Sequence, residues 1–229
     1  MAKYLLGCLG LLIVAIIILV VVGGAIWADS YNKLVSLNQG VNSTWAEVEN
    51  QYQRRSDLIP NLVQTVSGAA NFEKSTLTEV TDARASVGQV KLDPSKAPTD
   101  PAQLQQFEAA QNQLGNAISR LLVVSENYPD LKANQSFLDL QSQLEGTENR
   151  ITTARHYFNQ AAQDYNTAVQ SFPSNLIASI SGFTVKPYFQ AKEGTDVPPP
   201  VHFDFNNPST ATPASSPSST PAPVPVPTH

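Results

Sequence analysis

In a chain of 229 residues with three histidines and one cysteine, chemistry has to be sought first among carboxylates and arginines. His156, His202 and His229 are scattered, and Cys8 stands alone. The sequence contains no HExxH pair, no Glu-x-x-His repeat for a di-iron centre, no cysteine ligand pair and no glycine-rich phosphate loop. Its serines occupy no nucleophile-elbow context. Glu145 and Glu148 are spaced for acid–base work, but two carboxylates on one helix more often form a solvated or ion-paired face. These patterns meet no catalytic constellation and predict a protein that is not an enzyme and holds no metal and no cofactor.

Two polar stretches stand out instead. The first, QYQRRSDLIPNL over residues 51–62, packs Arg54, Arg55, Asp57, Pro60 and Asn61 around an expected helix junction. The second, LEGTENRI over residues 144–151, carries Glu145, Glu148 and Arg150, with Arg155 following. Glu145 and Asn149 are an i,i+4 pair, and Glu148 shares a face with Arg155 one heptad on. Polar side chains beside an apolar seam pair across helices and fix register, usually at some cost in stability. These nine residues are the candidate structural or interaction site. Arg54 or Arg55 is expected to pair with Glu145 or Glu148 if antiparallel packing brings the stretches together.

The elements that must position them are helical. One segment places Tyr31, Leu34, Leu37, Val41, Trp45, Val48 and Tyr52 at steps of three and four. A second runs through Leu58, Leu62, Val66, Ala69, Leu77, Val80 and Val87. A third carries Leu104, Phe107, Leu114, Ile118, Leu121 and Tyr128. The fourth has the cleanest repeat: Phe137, Leu140, Leu144, Thr147, Ile151, Ala154, Phe158, Ala161, Tyr165, Ala168 and Phe172. A three-four alternation over several heptads marks a helix lying along a bundle seam. Pro60 should divide the first two segments, with Asp57 as N-cap of the second. Asp93-Pro94 and Pro98 divide the second and third, and Asp100-Pro101 is a start signal. Pro129 should end the third, Asn134 cap the fourth and Pro173 stop it. Short connections make successive helices antiparallel neighbours. The fold expected is all-α: an antiparallel up-and-down four-helix bundle preceded by one N-terminal transmembrane helix.

That last helix is the uncharged apolar run of residues 4–28. At about 1.5 Å per residue it is long enough to cross a hydrocarbon core of roughly 30 Å. It is too long for a cleaved signal peptide, and Cys8 precedes the apolar core rather than following it as in a lipoprotein signal. Tyr4 and Trp27 bracket it as interfacial aromatics do. Nothing firmly breaks a helix between Ala28 and Tyr31, so the anchor can continue into the first bundle helix as one rod. Lys3 and the amine precede the run, and Asp29 and Lys33 follow it. The basic count is nearly even, and the amine tips it toward a single pass of the inner membrane with an extracytoplasmic C-terminal domain.

The rest of the composition is restrictive. A net charge of -5 leaves no basic footprint for nucleic acid. The sole cysteine lies in the apolar run, so the outer domain can form no internal disulfide. Residues 208–229 are almost purely Pro, Ser, Thr, Ala and Val and cannot bury enough apolar surface to order themselves. The expected organisation is an anchor over residues 1–28, a helical domain over 29–205 and a disordered tail over 206–229.

RRSDLIPNL, with Tyr31-Asn32-x-Leu34-Val35 upstream, resembles the signature of the LemA family, and LEGTENRI resembles its second signature. Tyr157-x-Asn159, Tyr165-Asn166, Phe172-Pro173 and Gly182-Phe183 follow in the order the family has them. The likeness covers roughly residues 4–205. Asn71-Phe72-Glu73 stands where the family often has a His before the Glu, and the Pro-rich tail lies outside the likeness. The resemblance implies a single-pass bacterial membrane protein with a helical-bundle domain and supplies no biochemical activity. Two functions are consistent with it. One is a scaffold or adaptor, partnered by the bilayer through residues 4–28 and by a second copy or another membrane protein. The alternative is a ligand-sensing bundle that signals through a separate membrane partner.

Overall fold

The computed structural model describes residues 2–69, 72–90 and 92–190, with side chains from residue 10 onward; the expected tail lies outside them. Among the described residues all regular structure is helical: α1 Ala2–Ser67, α2 Lys74–Gln89, α3 Pro101–Ser125, α4 Pro129–Lys132, α5 Gln135–Gln170 and α6 Ser174–Ser181.

The N-terminal apolar run and the first amphipathic segment are one helix, α1, of 66 residues. Its apolar part is long enough to cross a membrane, and among the described side chains, from Gly10 to Ala28, none is buried against the rest of the protein. Leu11, Leu19 and Val20 are exposed on its surface. From Leu34 onward one stripe becomes buried: Leu34, Val41, Trp45, Val48, Tyr52, Ile59, Leu62 and Val66.

The expected junction at Pro60 is absent, and Pro60 lies inside α1. Asp57 is correspondingly no N-cap: it accepts a hydrogen bond from Gln53 Nε2 at 2.7 Å, one turn back on the same helix. A proline inside a helix lacks the N–H that would bond the carbonyl four residues earlier, here that of Ser56. That carbonyl is taken up from outside, because Arg84 Nε of α2 donates to Ser56 O at 3.1 Å. Pro60 itself faces solvent. The true break comes after Ser67, so the second expected segment is split between the end of α1 and α2.

The other boundary signals act largely as expected. Asp100 caps α3 by accepting from Ala102 N at 2.9 Å, with Pro101 in the first turn. Asn134 caps α5 by accepting from Phe137 N at 3.3 Å. Pro129 opens the short α4 rather than closing α3. Beyond Pro173 the chain forms α6, which Gly182 ends in the left-handed region at φ 75°. Phe183 N–H returns to Ala178 O at 2.9 Å and closes that end.

Contacts fix the helix senses. Arg55 meets Glu148, and ten residues earlier Trp45 meets Phe158, so α5 runs antiparallel to α1. Tyr52 meets Phe107 and Arg55 meets Gln111, so α3 runs with α1. Glu79–Arg120 and Phe72–Tyr128 set α2 antiparallel to α3. Two apolar clusters fill the interior. One centres on Trp45, which touches the rings of Phe107, Phe158 and Phe189. The other lies toward the far end, around Ile59, Leu62, Leu114, Leu121, Phe137 and Leu144.

The α5 seam follows its expected three-four pattern to Phe158 and then slips. Tyr165 is buried as expected and Ala161 and Ala168 are half-buried against the Trp45 cluster, but Ala162 and Val169 beside them are the more buried, and Phe172 is 80% exposed. A straight helix has 3.6 residues per turn, so a strict 3.5-residue pattern drifts by about 20° per heptad. After three heptads the stripe has moved by most of one position.

Arg84→Ala should destabilise the protein by about 1 kcal/mol, the usual worth of one such hydrogen bond. In a Pro60→Ala background, where the helix can supply its own bond to Ser56 O, the same substitution should cost markedly less. Thermal unfolding of the four variants measures the difference; equal costs in both backgrounds would separate Arg84 from the proline.

Candidate functional site

The sequence stretches around Arg55 and Glu148 meet in the interior. Arg55, on the buried stripe of α1, is only 4% exposed. Its Nη1 donates to Glu148 Oε2 of α5 at 2.8 Å. Its Nη2 donates to the carbonyl of Gln111 on α3 at 3.0 Å and to the side-chain Oε1 of the same residue at 2.6 Å. The guanidinium also sits 5.1 Å from the ring centroid of Tyr52, one turn before it on α1. The planar fork thus reaches three helices at once, which a lysine could not do. Arg55 Nε is buried without a hydrogen-bond partner among the described residues.

A second ionic contact lies nearer the Trp45 cluster. Arg155 of α5 pairs with Glu108 of α3 at 2.6 Å and donates to Gln190 O at 3.1 Å. Its guanidinium covers the Phe189 ring at 4.5 Å. Both partners are largely shielded, with side chains 22% and 15% exposed. Burial raises the Glu108 carboxyl above 4.5, and the nearby Arg155 charge opposes that rise without cancelling it. Arg155 therefore faces Glu108, not Glu148 on its own helix.

The other candidates are placed differently. Arg54, Asp57, Pro60, Asn61 and Glu145 are on the outer surface. Glu145 accepts from Gln141 at 3.1 Å. Arg150, also exposed, reaches Thr147 Oγ1 at 3.4 Å.

Three features of this region were not singled out from the sequence. Gln111 and Glu108 supply the α3 side of both contacts. The third is a polar clasp on α5. Asn166 Nδ2 donates to Lys186 O and its Oδ1 accepts from Lys186 N, both at 2.8 Å. Asn159 treats Phe189 the same way, at 2.9 Å in each direction. Seven helical residues rise about 10.5 Å. Three extended residues span about 10 Å. Two asparagines one heptad apart therefore match backbone sites three residues apart, and the extended segment after α6 is fastened along α5. The available signal was the pair of amides at heptad spacing beside an apolar stripe. Lys186 Nζ ends this clasp by donating to Ala97 O at 3.2 Å, and burial lowers its pKa. Ala97 N in turn donates to Asn42 Oδ1 at 3.1 Å. Trp45 Nε1 donates to Asp93 O at 3.3 Å, so the α2–α3 connection is held to α1 at two points.

Among the described residues no group of His, Cys, Asp or Glu is arranged to hold a metal ion. The interior charges are spent on each other and on backbone carbonyls.

Sequence comparison places this arrangement in a family. The LemA family model matches residues 44–203, from the middle of α1 past the asparagine clasp. The chain belongs to the LemA family. Magnetosome protein MamQ 2 of Paramagnetospirillum magneticum is 28% identical over 187 residues, covering 73% of this chain and 67% of that protein. Magnetosome protein MamQ of Magnetospirillum gryphiswaldense is 28% identical over 183 residues, with the same two coverages. Protein LemA of Metamycoplasma hominis is 24% identical over 168 residues, covering 73% and 72%. In this LemA-family chain the match takes in both ionic contacts and the clasp, and it begins after the apolar run.

Two outcomes are expected. Arg55→Ala should cost about 3 kcal/mol, because it leaves Gln111 unpaired and a void between three helices. Glu148→Ala should cost about 1 kcal/mol, since its side chain is 55% exposed and the attraction is screened by solvent. A double-mutant cycle should return a coupling near 1 kcal/mol, read by thermal unfolding in detergent micelles. The second outcome concerns Glu108. Its folded pKa lies above its unfolded one, so the folded state holds the extra proton and gains stability as pH falls toward 4.5; that gain is lost as pH rises through the folded value. The stability of the native protein relative to Glu108→Gln should therefore rise on acidification. A fall would mean that the attraction to Arg155 outweighs burial.

Proposed function

We propose that this protein is a membrane-anchored helical scaffold or adaptor, in which α1, α2, α3 and α5 act as one up-and-down four-helix bundle held at the bilayer. It crosses the membrane once and carries the bundle on the extracytoplasmic side. It works through lateral contact with further copies or with another membrane protein rather than through a reaction. The observation that carries this reading is the continuity of α1: one helix contains the apolar run, the Trp45 cluster and Arg55. The interior polar groups support it, because Arg55, Glu148, Gln111, Arg155 and Glu108 fasten helices together. Relatives named for the magnetosome and one named LemA each match 73% of this chain, which favours a mechanical role over chemistry tied to one substrate. Confinement to a plane raises the effective concentration of bundles, so weak side-to-side contacts suffice.

The face available for such contact lies on α1 and α5, where Tyr157 is 57% exposed beside a shallow groove lined by Thr44, Glu47, Ala161 and Asp164. A second reading, a ligand-sensing bundle, is favoured by the groove of about 590 Å³ between α1, α2 and α3. Glu49, Tyr52, Arg84 and Phe107 line it, within the size range of small-molecule sites.

Cross-linking in intact membranes should give discrete homo-oligomers or one recurrent heavier product. Tyr157→Asp should remove that product while leaving thermal unfolding unchanged. A protein that stays strictly monomeric in the membrane, with full rescue by an unanchored helical domain, would overturn the scaffold reading.

A further inference from the structure

The end of the helical domain nearest the apolar run has a surface unlike the rest. Residues 165–185 contain no acidic residue, no basic residue and no histidine. They cover the last turns of α5, the turn at Phe172-Pro173, α6 and the start of the clasped segment. Ile177 and Ala178 of α6 are buried against the domain, whereas Leu176 is 57% and Ile180 72% exposed. Leu176 and Ile180 are one turn apart and share the outward face of α6. Phe172, just before the helix, is 80% exposed. The opposite end of the domain carries Glu73, Lys74, Glu126, Asp130 and Lys132, all exposed, with Glu126 and Lys132 paired.

Position says what covers this patch. The α6 end is fastened to α1 through Phe183, whose ring meets that of Tyr31 edge-on at 5.8 Å. Tyr31 follows the end of the apolar run by three residues, a rise of about 4.5 Å along α1. The polar layer outside a hydrocarbon core is itself about 5–7 Å thick on each side. Trp27 and Tyr31 are both about two-fifths exposed, as aromatics at a membrane interface are. The patch lies beside Tyr31, within one turn of the end of the apolar run, at the level where Asp29 and Lys33 of α1 are exposed.

We propose that Phe172 and the outward face of α6 form a second membrane contact, resting in the interfacial layer of the same bilayer that α1 crosses. The occupant of the face is lipid, not a second copy. The patch lacks charges for pairing with a partner, and Phe172, Leu176 and Ile180 standing among the exposed, uncharged Asn175, Ser179 and Ser181 suit a polar–apolar boundary, where apolar side chains and neutral polar groups sit side by side. The inference rests on the reading of residues 4–28 as a span.

Depth-dependent quenching tests both parts separately. Full-length protein in a Cys8→Ser background receives one fluorescent label at a time, through Ser179→Cys, Leu12→Cys or Val123→Cys, in phosphatidylcholine–phosphatidylglycerol vesicles. Lipids carry a nitroxide either at the headgroup or deep in the acyl chain. The Ser179 label should be quenched by headgroup nitroxide, the Leu12 label by the deep nitroxide, and the Val123 label, on the far end, by neither. Adding Leu176→Ser and Ile180→Ser should abolish quenching at Ser179 and leave it intact at Leu12. Quenching at Leu12 with none at Ser179 overturns the second contact and keeps the anchor. Loss of quenching at both sites overturns the anchor and the second contact together. Quenching at Ser179 that survives the two serine substitutions removes the apolar face as its cause. Shielding of the Ser179 label from water without quenching by either lipid assigns the face to a second copy and overturns the proposal.

Discussion

A guanidinium taken out of water has to be met by fixed acceptors, and Arg55 sets that requirement at the centre of this protein. Its two terminal nitrogens are satisfied only when Glu148 of α5 and both acceptors of Gln111 on α3 are within about 3 Å of them. Sliding any one helix by a single residue, a rise of about 1.5 Å, would stretch these bonds past hydrogen-bonding distance. Apolar side chains alone tolerate such slips, because Leu and Ile exchange places at little cost. The buried cation does not, so the relative heights of α1, α3 and α5 follow from it. Arg155 and Glu108 repeat the requirement between α5 and α3, close to Trp45.

The same logic of displaced hydrogen bonds runs through the backbone. Pro60 deprives Ser56 of its helical partner, and Arg84 restores the loss from α2. Asn159 and Asn166 give an extended segment the paired donor and acceptor that a neighbouring strand would otherwise offer. In each case a side chain from one element completes the main chain of another, and elements that are distant in sequence become mutually dependent. The α2–α3 connection is held in this way by Asn42, Trp45 and Lys186 together.

Much of the helical pattern was legible. Leu34, Val41, Trp45 and Val48 are buried as their spacing requires, and so are Phe137, Leu140, Leu144, Ile151 and Phe158. Asp100 and Asn134 act as caps because a side-chain oxygen before an open helix end is a local matter. The misreadings are non-local. Pro60 breaks a helix only if nothing else bonds Ser56, and Arg84 is 28 residues away. Ala161 and Ala168 lie at the edge of the buried stripe, and Ala162 and Val169 beside them are buried, because a helix of 3.6 residues per turn drifts from a strict heptad pattern. Arg55 was among the candidates, and so was Glu148, yet Gln111 and Glu108 carried no signal of their own: a glutamine or glutamate on α3 looks like any solvated residue. Phe172 read as one more seam position, when it marks the point at which the chain leaves the seam.

The continuity of α1 has a mechanical consequence. A helix of 66 residues is about 99 Å long, and roughly 60 Å of it lies beyond Ala28. The helix is continuous where the apolar run meets the domain, with Gly23 and Gly24 inside it four to five residues before Ala28. No loop separates the two parts, so an inclination of the apolar portion is carried along α1 toward the outer tip. An inclination of about 10° would carry that tip sideways by roughly 10 Å, the width of a neighbouring helix. On the proposed reading of the apolar run as a span, the packing and interfacial anchoring that set its inclination would also govern how far apart the outer ends of two adjacent molecules stand. The molecule would in that sense be a pointer, aimed from its base.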